Sequence, residues 1–449
     1  MSSPSRVLLV HGLRAEERST IQHVVKSFAG FRDTHEVLFA SFFGEGPDYS
    51  SRFDLMIVTA EALAMRSSSY WRIFEPRLLK WADQCTEVIL LPQDEYTDSR
   101  RLEKLANKLN VSSVFGPCAE HYSRLLPNLD KATVVQSILP AYRSPFLSEL
   151  SPRFRVPLEE REFDLVQRVS ELGPQFGRIG KVKARYAVHI GELASSIGLR
   201  TDVSTNPKDV LAGENWFGFL ANGRWTPTTK GGSSINDQTG LFATLANCQA
   251  ASTSIGAEKL EQYLNRFDEV DQPYVADSPR IFEAASLGVG LVMPKGSYVG
   301  ELLPDVDYLP VEFGASTADI DRIQKRMSDV GYLNEMTKSA HSKLIENVSL
   351  SQEFITSKIL NSSSSDYQQT DSFVSITSDY SLSRLFMLKS GSRRMDIRDQ
   401  ILSRWSSARK SRKGFQLNGE DETIVDDWLE ALGNGLPPES LAFKWAVPA

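Results

Sequence analysis

The chain has 449 residues, too many for one ordinary hydrophobic core, and this length predicts about three domains. It carries 50 lysines and arginines against 57 aspartates and glutamates. The resulting net charge of −7 excludes a protein whose whole surface binds nucleic acid. Hydrophobic residues make up 41% and charged residues 24% of the chain, so wholesale disorder is excluded as well.

Three cysteines, Cys85, Cys118 and Cys248, lie far apart in the sequence. They form neither a disulfide framework nor a CxxC zinc pair, so we expect reduced thiols and no metal site. No apolar run approaches the ~18–20 residues that span a bilayer. The first apolar stretch, residues 7–10, is shorter than the ~7–15 residues of a signal-peptide core. We therefore expect a cytoplasmic protein, with peripheral attachment at the inner membrane surface left open.

The N-terminal third alternates short apolar strands with helices. The predicted strands are Arg6–Val10, Glu36–Ala40, Phe53–Thr59, Glu87–Leu91 and Ser112–Phe115. The predicted helices are Glu16–Ala29, Trp71–Asp83 and Ser99–Leu109. Apolar strands separated by helices indicate a parallel sheet that is covered on both faces. Ligands of such sheets bind beyond the carboxyl ends of the strands, where we expect His11 and the pair Asp94 and Glu95.

Four prolines between residues 140 and 162 predict an extended linker, because proline fixes φ and disfavours a helix before it. The alternation then resumes. The predicted strands are Phe163–Arg168, Leu199–Val203, Arg224–Thr228 and Gly290–Met293. The predicted helices are Arg178–Ile197, Pro207–Ala221 and Ser278–Leu287, and the segment Asp319–Asn347 is predicted to continue as more than one helix. The chain is therefore predicted to form two successive α/β domains with a cleft between them.

The last hundred residues have a separate charge pattern. Residues 384–413 hold ten basic and two acidic residues, a local charge of +8, and residues 420–430 hold six acids. Two solvated helices would account for this pattern. The alternative is a basic face that binds anionic lipid headgroups, at ~1 kcal/mol per basic residue.

Two segments of the second domain suit a diphosphate. After the strand Phe163–Arg168, a glycine turn opens a helix, and Arg178 and Lys183 add positive charge near its N-terminus. A second segment allows close backbone approach and offers hydroxyl donors. It consists of Gly231, Gly232, Ser233 and Ser234. An ordinary turn capped by Asn236 or Asp237 is the alternative there.

A third segment suits a ribose next to a phosphate. Ser278 is predicted to cap a helix with Pro279 at its first position. Arg280 and Glu283 are three residues apart and share one helix face, either as a surface ion pair or as contacts to phosphate and ribose hydroxyls. The loop 294–301 follows the next strand and faces the same crevice.

At these segments the sequence resembles the GT-B glycosyltransferases of the "glycosyl transferases group 1" kind, and more narrowly bacterial surface-polysaccharide glycosyltransferases. The resemblance covers roughly residues 50 to 350. It rests on the order of FDLMIVT (53–59), LLPQDEYTDSRR (90–101), FGRIGKVK (176–183), GGSSINDQTG (231–240) and SPRIFEAASLGVGLV (278–292). It implies an α/β GT-B fold: two Rossmann-like domains with parallel sheets facing a central cleft, plus C-terminal helices that cross back to the first domain.

The resemblance also implies domain roles. Residues 1–145 would bind the acceptor, residues 160–350 would bind the nucleotide-sugar donor, and residues 351–449 would form a helical extension. Protein cations and helix dipoles would offset the diphosphate charge, so the family implies neither a metal ion nor another cofactor.

Individual roles follow by matching motifs. Glu283 matches the glutamate that contacts the donor ribose or sugar, and Arg178 and Lys183 match a basic pair near the diphosphate. Asp94 and Glu95 match the acidic rim that holds the acceptor or a catalytic base. The remaining implied donor contacts are Gly231, Gly232, Ser233, Ser234, Arg280, Tyr298 and Gly300.

The implied activity is transfer of a hexose-type sugar from a nucleotide-diphosphate sugar to a glycan or lipid-linked acceptor, in surface polysaccharide or glycoconjugate synthesis. The implied partners include no nucleic acid, and membrane contact would use residues 384–413. Asp94 or Glu95 is the candidate base of an inverting enzyme, and a retaining enzyme needs no base there.

Three departures from the family pattern keep a second interpretation open. Val169 stands where a glycine would ease phosphate approach, Lys230 where an acid often precedes the glycine-serine loop, and Leu291 where many retaining members carry a second glutamate. The chain would then be a non-catalytic scaffold or regulatory partner of a polysaccharide assembly complex. A sugar-nucleotide epimerase on the same fold is a third interpretation.

Overall fold

The computed structural model describes residues 5–12, 24–31, 34–41, 46–48, 50–68, 71–140, 142–249, 260–269, 271–314 and 317–361. The predictions for residues 384–413 and for most of the helical extension 351–449 lie outside this part of the chain, as does most of the helix predicted from Glu16. Within the described residues, no helix combines the length and apolar character that crossing a bilayer requires.

Six parallel strands form the N-terminal sheet. They are β1 (Ser5–His11), β2 (His35–Ser41), β3 (Phe53–Val58), β4 (Cys85–Leu90), β5 (Ser113–Gly116) and β6 (Val134–Ser137), in the order β2-β1-β3-β4-β5-β6. The helices of this half that lie wholly within the described residues are α1 (Ala60–Ala64), α2 (Trp71–Ala82), α3 (Ser99–Lys108) and α4 (Tyr122–Leu125). Leu8 and Val10 of β1 pack into one hydrophobic cluster, and Val7 and Leu9 pack into another on the opposite face. This sheet is therefore covered on both faces, as its unbroken apolar strands predict.

Five parallel strands form the C-terminal sheet. They are β7 (Phe163–Arg168), β8 (Thr201–Ser204), β9 (Gly223–Pro227), β12 (Gly290–Met293) and β13 (Leu309–Pro310), in the order β13-β12-β9-β7-β8. The intervening β10 (Gly231–Ser233) and β11 (Tyr274–Ala276) pair with each other as an antiparallel ribbon. The helices from the linker onward are α5 (Pro145–Phe154), α6 (Gly177–Ser196), α7 (Glu214–Ala221), α8 (Leu241–Gln249), α9 (Arg280–Leu287), α10 (Thr317–Ser328), α11 (Val330–Leu344) and α12 (Gln352–Asn361).

Two predicted elements differ from the structure. The proline-rich linker contains helix α5, because Pro145 occupies the first helical position, where its missing N–H costs little. The helix predicted over Pro207–Ala221 is instead a short turn at Pro207–Asp209 followed by α7. Gly213 separates the two with a φ of 58°, a conformation that favours glycine and ends helical hydrogen bonding.

The last described helix, α12, returns to the N-terminal half. Backbone bonds join Arg143 to both Leu350 and Gln352 at 2.9 and 2.8 Å. Ile359 and Leu360 are then buried in the hydrophobic cluster that covers one face of the N-terminal sheet. The crossing implied by the family resemblance is therefore present in the structure.

The two halves also meet directly beside the cleft. The segment after β4 runs alongside the segment after β10, with backbone bonds from Asp98 N–H to Asp237 O (2.6 Å), Asp237 N–H to Tyr96 O (2.8 Å) and Arg100 N–H to Gln238 O (3.0 Å). Because these segments follow the carboxyl ends of strands, the contact sets how the two rims face each other.

Candidate functional site

A cavity of about 590 Å³ lies between the carboxyl ends of the two sheets. Its N-terminal wall comes from the loops after β4 and β5. Its C-terminal wall comes from the loops after β7 and β8, the β10–β11 ribbon and the N-terminal ends of α6, α7 and α9. The predicted site residues that line it are Asp94, Glu95, Lys183, Gly231, Gly232, Arg280 and Glu283.

Lys183 brings positive charge to the start of α9. Its Nζ donates to Ser278 Oγ at 3.0 Å, and it lies beside Gly231 at the edge of β10. The Ser278 hydroxyl is therefore turned toward Lys183 rather than capping the helix with its side chain. The helix itself begins at Arg280, with Pro279 as its N-cap residue.

Glu283 is held by an aromatic residue of α7. Trp216 Nε1 donates to Glu283 Oε2 at 2.9 Å, and the Glu283 side chain lies with only 8% of the residue exposed. The Arg280 guanidinium stacks on the same indole, with Cζ 4.7 Å from the ring centroid. A carboxylate acceptor and a guanidinium donor are thus fixed side by side on one tryptophan.

A second arginine repeats this arrangement one turn along α7. Arg168, at the end of β7, stacks over Phe219 with Cζ 4.2 Å from the ring centroid and pairs with Asp202 at 2.7 Å. Its carbonyl oxygen accepts a bond of 3.2 Å from Arg280 Nη2. The short aromatic helix therefore holds both arginines at the cavity wall.

Lys230 has a carboxylate close by. Asp277 Oδ1 lies 3.9 Å from Lys230 Nζ, and Asp277 Oδ2 accepts a bond from Val299 N–H at 2.9 Å. Burial raises the pKa of Asp277, and the nearby Lys230 opposes this shift. The family pattern often has an acid at position 230, and in this chain Asp277 places a carboxylate near that position instead.

Glu95 is the buried acid of the opposite wall. Its Oε1 accepts bonds from Cys118 N–H (3.0 Å) and Tyr122 Oη (3.2 Å), and its Oε2 has no hydrogen-bond partner among the described residues. Burial raises its pKa to about 7. A Cβ at Gly116 would collide with this carboxylate, so the strand end leaves space that only glycine provides.

A buried arginine supports the loop that carries Glu95. Arg66 donates to the carbonyl oxygens of Leu63 (2.9 Å), Asp94 (2.9 Å) and Thr97 (2.6 Å). Asp94 itself has a φ of 54° and accepts a 2.6 Å bond from Tyr96 Oη. Hydrogen bonds from Arg66 to the backbone and from Tyr96 to the Asp94 side chain therefore fix the conformation of this acidic loop.

Several predicted residues lie away from the cavity lining. Arg178 is 65% exposed at its side chain and pairs with Asp268 at 2.9 Å. Ser233 Oγ donates to Ile235 O at 2.7 Å, and Ser234 Oγ accepts from Ile179 N–H at 3.3 Å, so these hydroxyls brace the turn after β10. In addition, Asp237 Oδ2 accepts a 2.8 Å bond from Ala243 N–H of α8, as the alternative capping interpretation expects.

Three further residues lie outside the lining. The Tyr298 hydroxyl donates a hydrogen bond to Pro294 O at 2.8 Å. Lys230 Nζ lies over the Tyr298 ring, 5.8 Å from the ring centroid. Gly300 lies in the turn Val299–Glu301. His11 lies at the end of β1, and burial lowers its pKa to about 4.

The sequence patterns did not place the supporting residues Arg66, Tyr122, Arg168 and Trp216 in the site. Trp216 and Glu283 are 67 positions apart, and Tyr122 and Glu95 are 27 apart. No spacing rule joins residues at such separations. The one available signal was the position of Arg168 at the end of a strand.

The described residues contain no group of three or more His, Cys, Asp or Glu side chains that could hold a metal ion. This observation concerns that part of the chain alone. The metal independence implied by the resemblance stays a prediction.

Comparison with solved structures finds shared architecture at low sequence identity. An alpha-glucosyltransferase in complex with UDP-glucose and DNA containing an abasic site is 11% identical, with a TM-score of 0.53 over 81% of this chain and 100% of that chain. An alpha-glucosyltransferase in complex with UDP and a 13-mer DNA is 10% identical, with a TM-score of 0.51 over 80% of this chain and 99% of that chain. HepE of Anabaena, in complex with UDP-glucose, is 12% identical at a TM-score of 0.41, over 80% of this chain and 100% of that chain.

No protein-family model and no curated protein matches the sequence.

The expectation of no nucleic acid partner is wrong as an exclusion. The alpha-glucosyltransferase structures that share this fold were solved with DNA bound. The expectation followed from the family resemblance and agreed with the net charge of −7, which averages over the whole surface and does not describe local patches.

The fold itself is confirmed. Two all-parallel sheets face each other across one cavity, and the last described helix crosses back to the first half. The solved structures with TM-scores above 0.5 share this architecture. The chain therefore has the α/β GT-B fold of those glucosyltransferases.

Proposed function

We propose that the chain is a glycosyltransferase that moves a sugar from a nucleotide-diphosphate sugar to an acceptor held against the N-terminal half. The observation that carries this proposal is the chemistry of the cavity walls. One wall has cations at a helix N-terminus, and the other has a buried carboxyl group whose pKa is near neutral. An inverting sugar transfer uses both functions in one place, and a retaining transfer uses the first.

The C-terminal wall suits the donor. Lys183 and Arg280 lie beside the N-terminal end of α9, where the helix dipole adds further positive potential. Together they would stabilise the diphosphate as it leaves, because charge develops there in the transition state. Glu283, fixed by Trp216, would accept hydrogen bonds from ribose or sugar hydroxyls. Because Arg178 is paired with Asp268, Arg280 rather than Arg178 would be the second basic residue that contacts the diphosphate, beside Lys183.

The N-terminal wall suits the acceptor. Glu95 offers an oxygen that has no donor among the described residues, and burial raises its pKa to about 7. A group with that pKa takes a proton efficiently near neutral pH. In an inverting reaction Glu95 would accept the proton of the acceptor hydroxyl as its oxygen bonds to the sugar carbon and the bond to the diphosphate breaks. In a retaining reaction the departing diphosphate would take that proton.

The finer assignments rest on the resemblance. The chain would be a group 1 type enzyme that needs no metal ion, with the acceptor bound by residues 1–145 and the donor by residues 160–350. It would be located in the cytoplasm and take part in surface polysaccharide or glycoconjugate synthesis. UDP is the first nucleotide to test, because the solved neighbours were prepared with UDP or UDP-glucose. A glycan, a lipid-linked glycan and a nucleic acid are the acceptor classes to compare.

Calorimetric titration of the purified full chain with UDP, GDP, ADP and dTDP tests the proposal. We expect one nucleotide to bind selectively, and Glu283→Ala to abolish that binding. Glu335→Ala is the matched control, since Glu335 is an exposed glutamate of α11 and should leave binding unchanged. Absence of binding by every nucleotide would refute the proposal and favour a scaffold. Epimerised sugar nucleotide formed without an acceptor would refute it in favour of an epimerase.

A further inference from the structure

A strongly basic face covers two neighbouring helices of the N-terminal half. Helices α2 and α3 together carry seven basic and two acidic side chains, a net charge of +5 in a chain whose total is −7. We call the seven side chains the basic face. They are Arg72, Arg77, Lys80, Arg100, Arg101, Lys104 and Lys108.

The basic face is continuous across the two helices. Arg100, Lys104 and Lys108 are spaced by four residues, so they form one exposed row on α3 about 12 Å long. Lys108 pairs with Glu75 of α2, which joins this row to the adjacent helix. Both helices bury their apolar sides in a single hydrophobic cluster, so their charged sides point outward together.

Only one of the two acids of these helices offsets a charge of the row. Glu75 is occupied by Lys108. Glu103 is buried and accepts bonds from the backbone and side-chain nitrogens of Asn128, at 2.6 and 3.1 Å. Beside the row, Arg101 pairs with Asp98 at 3.0 Å. With both helix acids counted, the two helices still carry a net charge of +5.

The basic face begins at the cavity. Helix α3 starts at Ser99, directly after the loop whose Asp94, Glu95 and Tyr96 line the cavity wall. Arg100 N–H contacts Gln238 O across the cleft at 3.0 Å, so the first turn of α3 lies at the rim where the two halves meet. A long polyanion lying on this row would reach the rim of the cavity at the Arg100 end.

We propose that the basic face binds the phosphate backbone of a nucleic acid and that this nucleic acid carries the acceptor hydroxyl. The inference rests on the proposed transferase function, because it places the acceptor at the wall that holds Glu95. A nucleic acid strand presents one phosphate about every 3.4 Å along its axis, so a row of about 12 Å spans three to four of them. Regular phosphate spacing matches a linear row better than a single anionic headgroup does.

Binding of the full chain to a fluorescein-labelled 20-base-pair DNA duplex, measured by anisotropy over a range of salt concentrations, tests this inference. The variant is Lys104→Gln with Lys108→Gln. Each lost phosphate contact lowers the slope of log affinity against log salt by about 0.9, so the double variant should reduce it by about 1.8. At 0.1 M salt this corresponds to an affinity roughly 60-fold weaker.

The matched control is Lys325→Gln with Lys338→Gln on α10 and α11. It removes two exposed lysines, one of them also paired with a glutamate, from the other half of the molecule. We expect duplex affinity and salt slope to stay at the wild-type values. Equal losses in both double variants would overturn the inference, since binding would then follow total charge alone.

Two further measurements separate this inference from the proposed function. Nucleotide diphosphate binding should be the same in the wild type and in both double variants.

If the wild type binds a nucleotide but not the duplex, the inference falls and the proposed function stands. If it instead binds phosphatidylserine vesicles through Lys104 and Lys108 and not the duplex, the basic face is a membrane surface and the inference is overturned. If it binds the duplex but no nucleotide, both the transferase proposal and the acceptor role fall.

Discussion

Replacing Trp216 with phenylalanine tests how the donor wall is organised. The substitution keeps an aromatic ring beneath Arg280 but removes the indole N–H that Glu283 accepts at 2.9 Å. Glu283 then remains a buried carboxylate with one donor fewer. We expect a less stable protein that also binds nucleotide more weakly, because the carboxylate loses its fixed orientation.

The expected size follows from the type of bond removed. A hydrogen bond to a charged group contributes about 1.5–3 kcal/mol, and 1.4 kcal/mol corresponds to a factor of ten in affinity. The free energy of unfolding should therefore fall by about 1.5–3 kcal/mol. Because the same bond holds Glu283 in its binding orientation, nucleotide diphosphate binding should weaken by up to the corresponding factor, about tenfold to a hundredfold. In the Trp216→Phe variant, the further substitution Glu283→Gln removes a buried charge that has lost its donor. Glu283→Gln should therefore lower the free energy of unfolding less in this variant than in the wild type, by at least about 1 kcal/mol.

The assay is a double-mutant cycle of urea unfolding, with nucleotide titration of each of the four proteins. Trp225→Phe is the matched control, because Trp225 also donates its indole N–H, to Met327 O at 3.1 Å, but lies in the core of the C-terminal sheet. It should lower stability and leave nucleotide affinity unchanged. Additive effects of Trp216→Phe and Glu283→Gln, within about 0.5 kcal/mol, would refute the coupling. Unchanged nucleotide affinity in Trp216→Phe would refute the positioning role.

Three other predictions follow from single contacts. The transfer rate should rise as the pH increases through about 7, because Glu95 must lose its proton to act as a base. Glu95→Gln should remove this rise, and a pH profile that this substitution leaves intact would exclude Glu95 as the base. Arg161→Leu should lower the free energy of unfolding by about 3 kcal/mol or more, measured in urea, because Arg161 is buried and donates to the carbonyl oxygens of Val156, Gly223, Leu287 and Gly288. EDTA should leave the transfer rate unchanged, and a loss restored by added Mg²⁺ would contradict the metal independence that the family implies.

The strands were predictable because each carries its own signal. Phe163–Arg168 and Gly290–Met293 have the predicted bounds, since short apolar runs between turns leave few other structures. The β10–β11 ribbon was not predictable, because Gly231 and Gly232 carry no side-chain pattern and their partner strand lies some forty residues later. Helix α5 was missed because prolines suggested a linker, although proline at a first helical position is compatible with a helix.

The candidate site shows the same division between local and distant information. Glu283 and Lys183 sit at helix starts after strands, and such positions can be read from local patterns. The raised pKa of Glu95 depends instead on burial against Tyr122 and Cys118, which only the folded chain brings together. Arg178 has the expected position in sequence but pairs with Asp268, 90 residues away, and this contact decides where its charge points.

The crossing of α12 has a consequence for synthesis of the chain. Ile359 and Leu360 complete a hydrophobic cluster whose other members belong to the first 140 residues. At about 5–20 residues per second, roughly 10–40 s separate the emergence of that first part from the emergence of α12. During this interval the part of that face that Ile359 and Leu360 cover remains exposed on the ribosome, where it offers an apolar surface to a chaperone. Chains that terminate before residue 352 would keep that apolar patch uncovered, and we expect them to be recognised by quality control even though both sheets are complete.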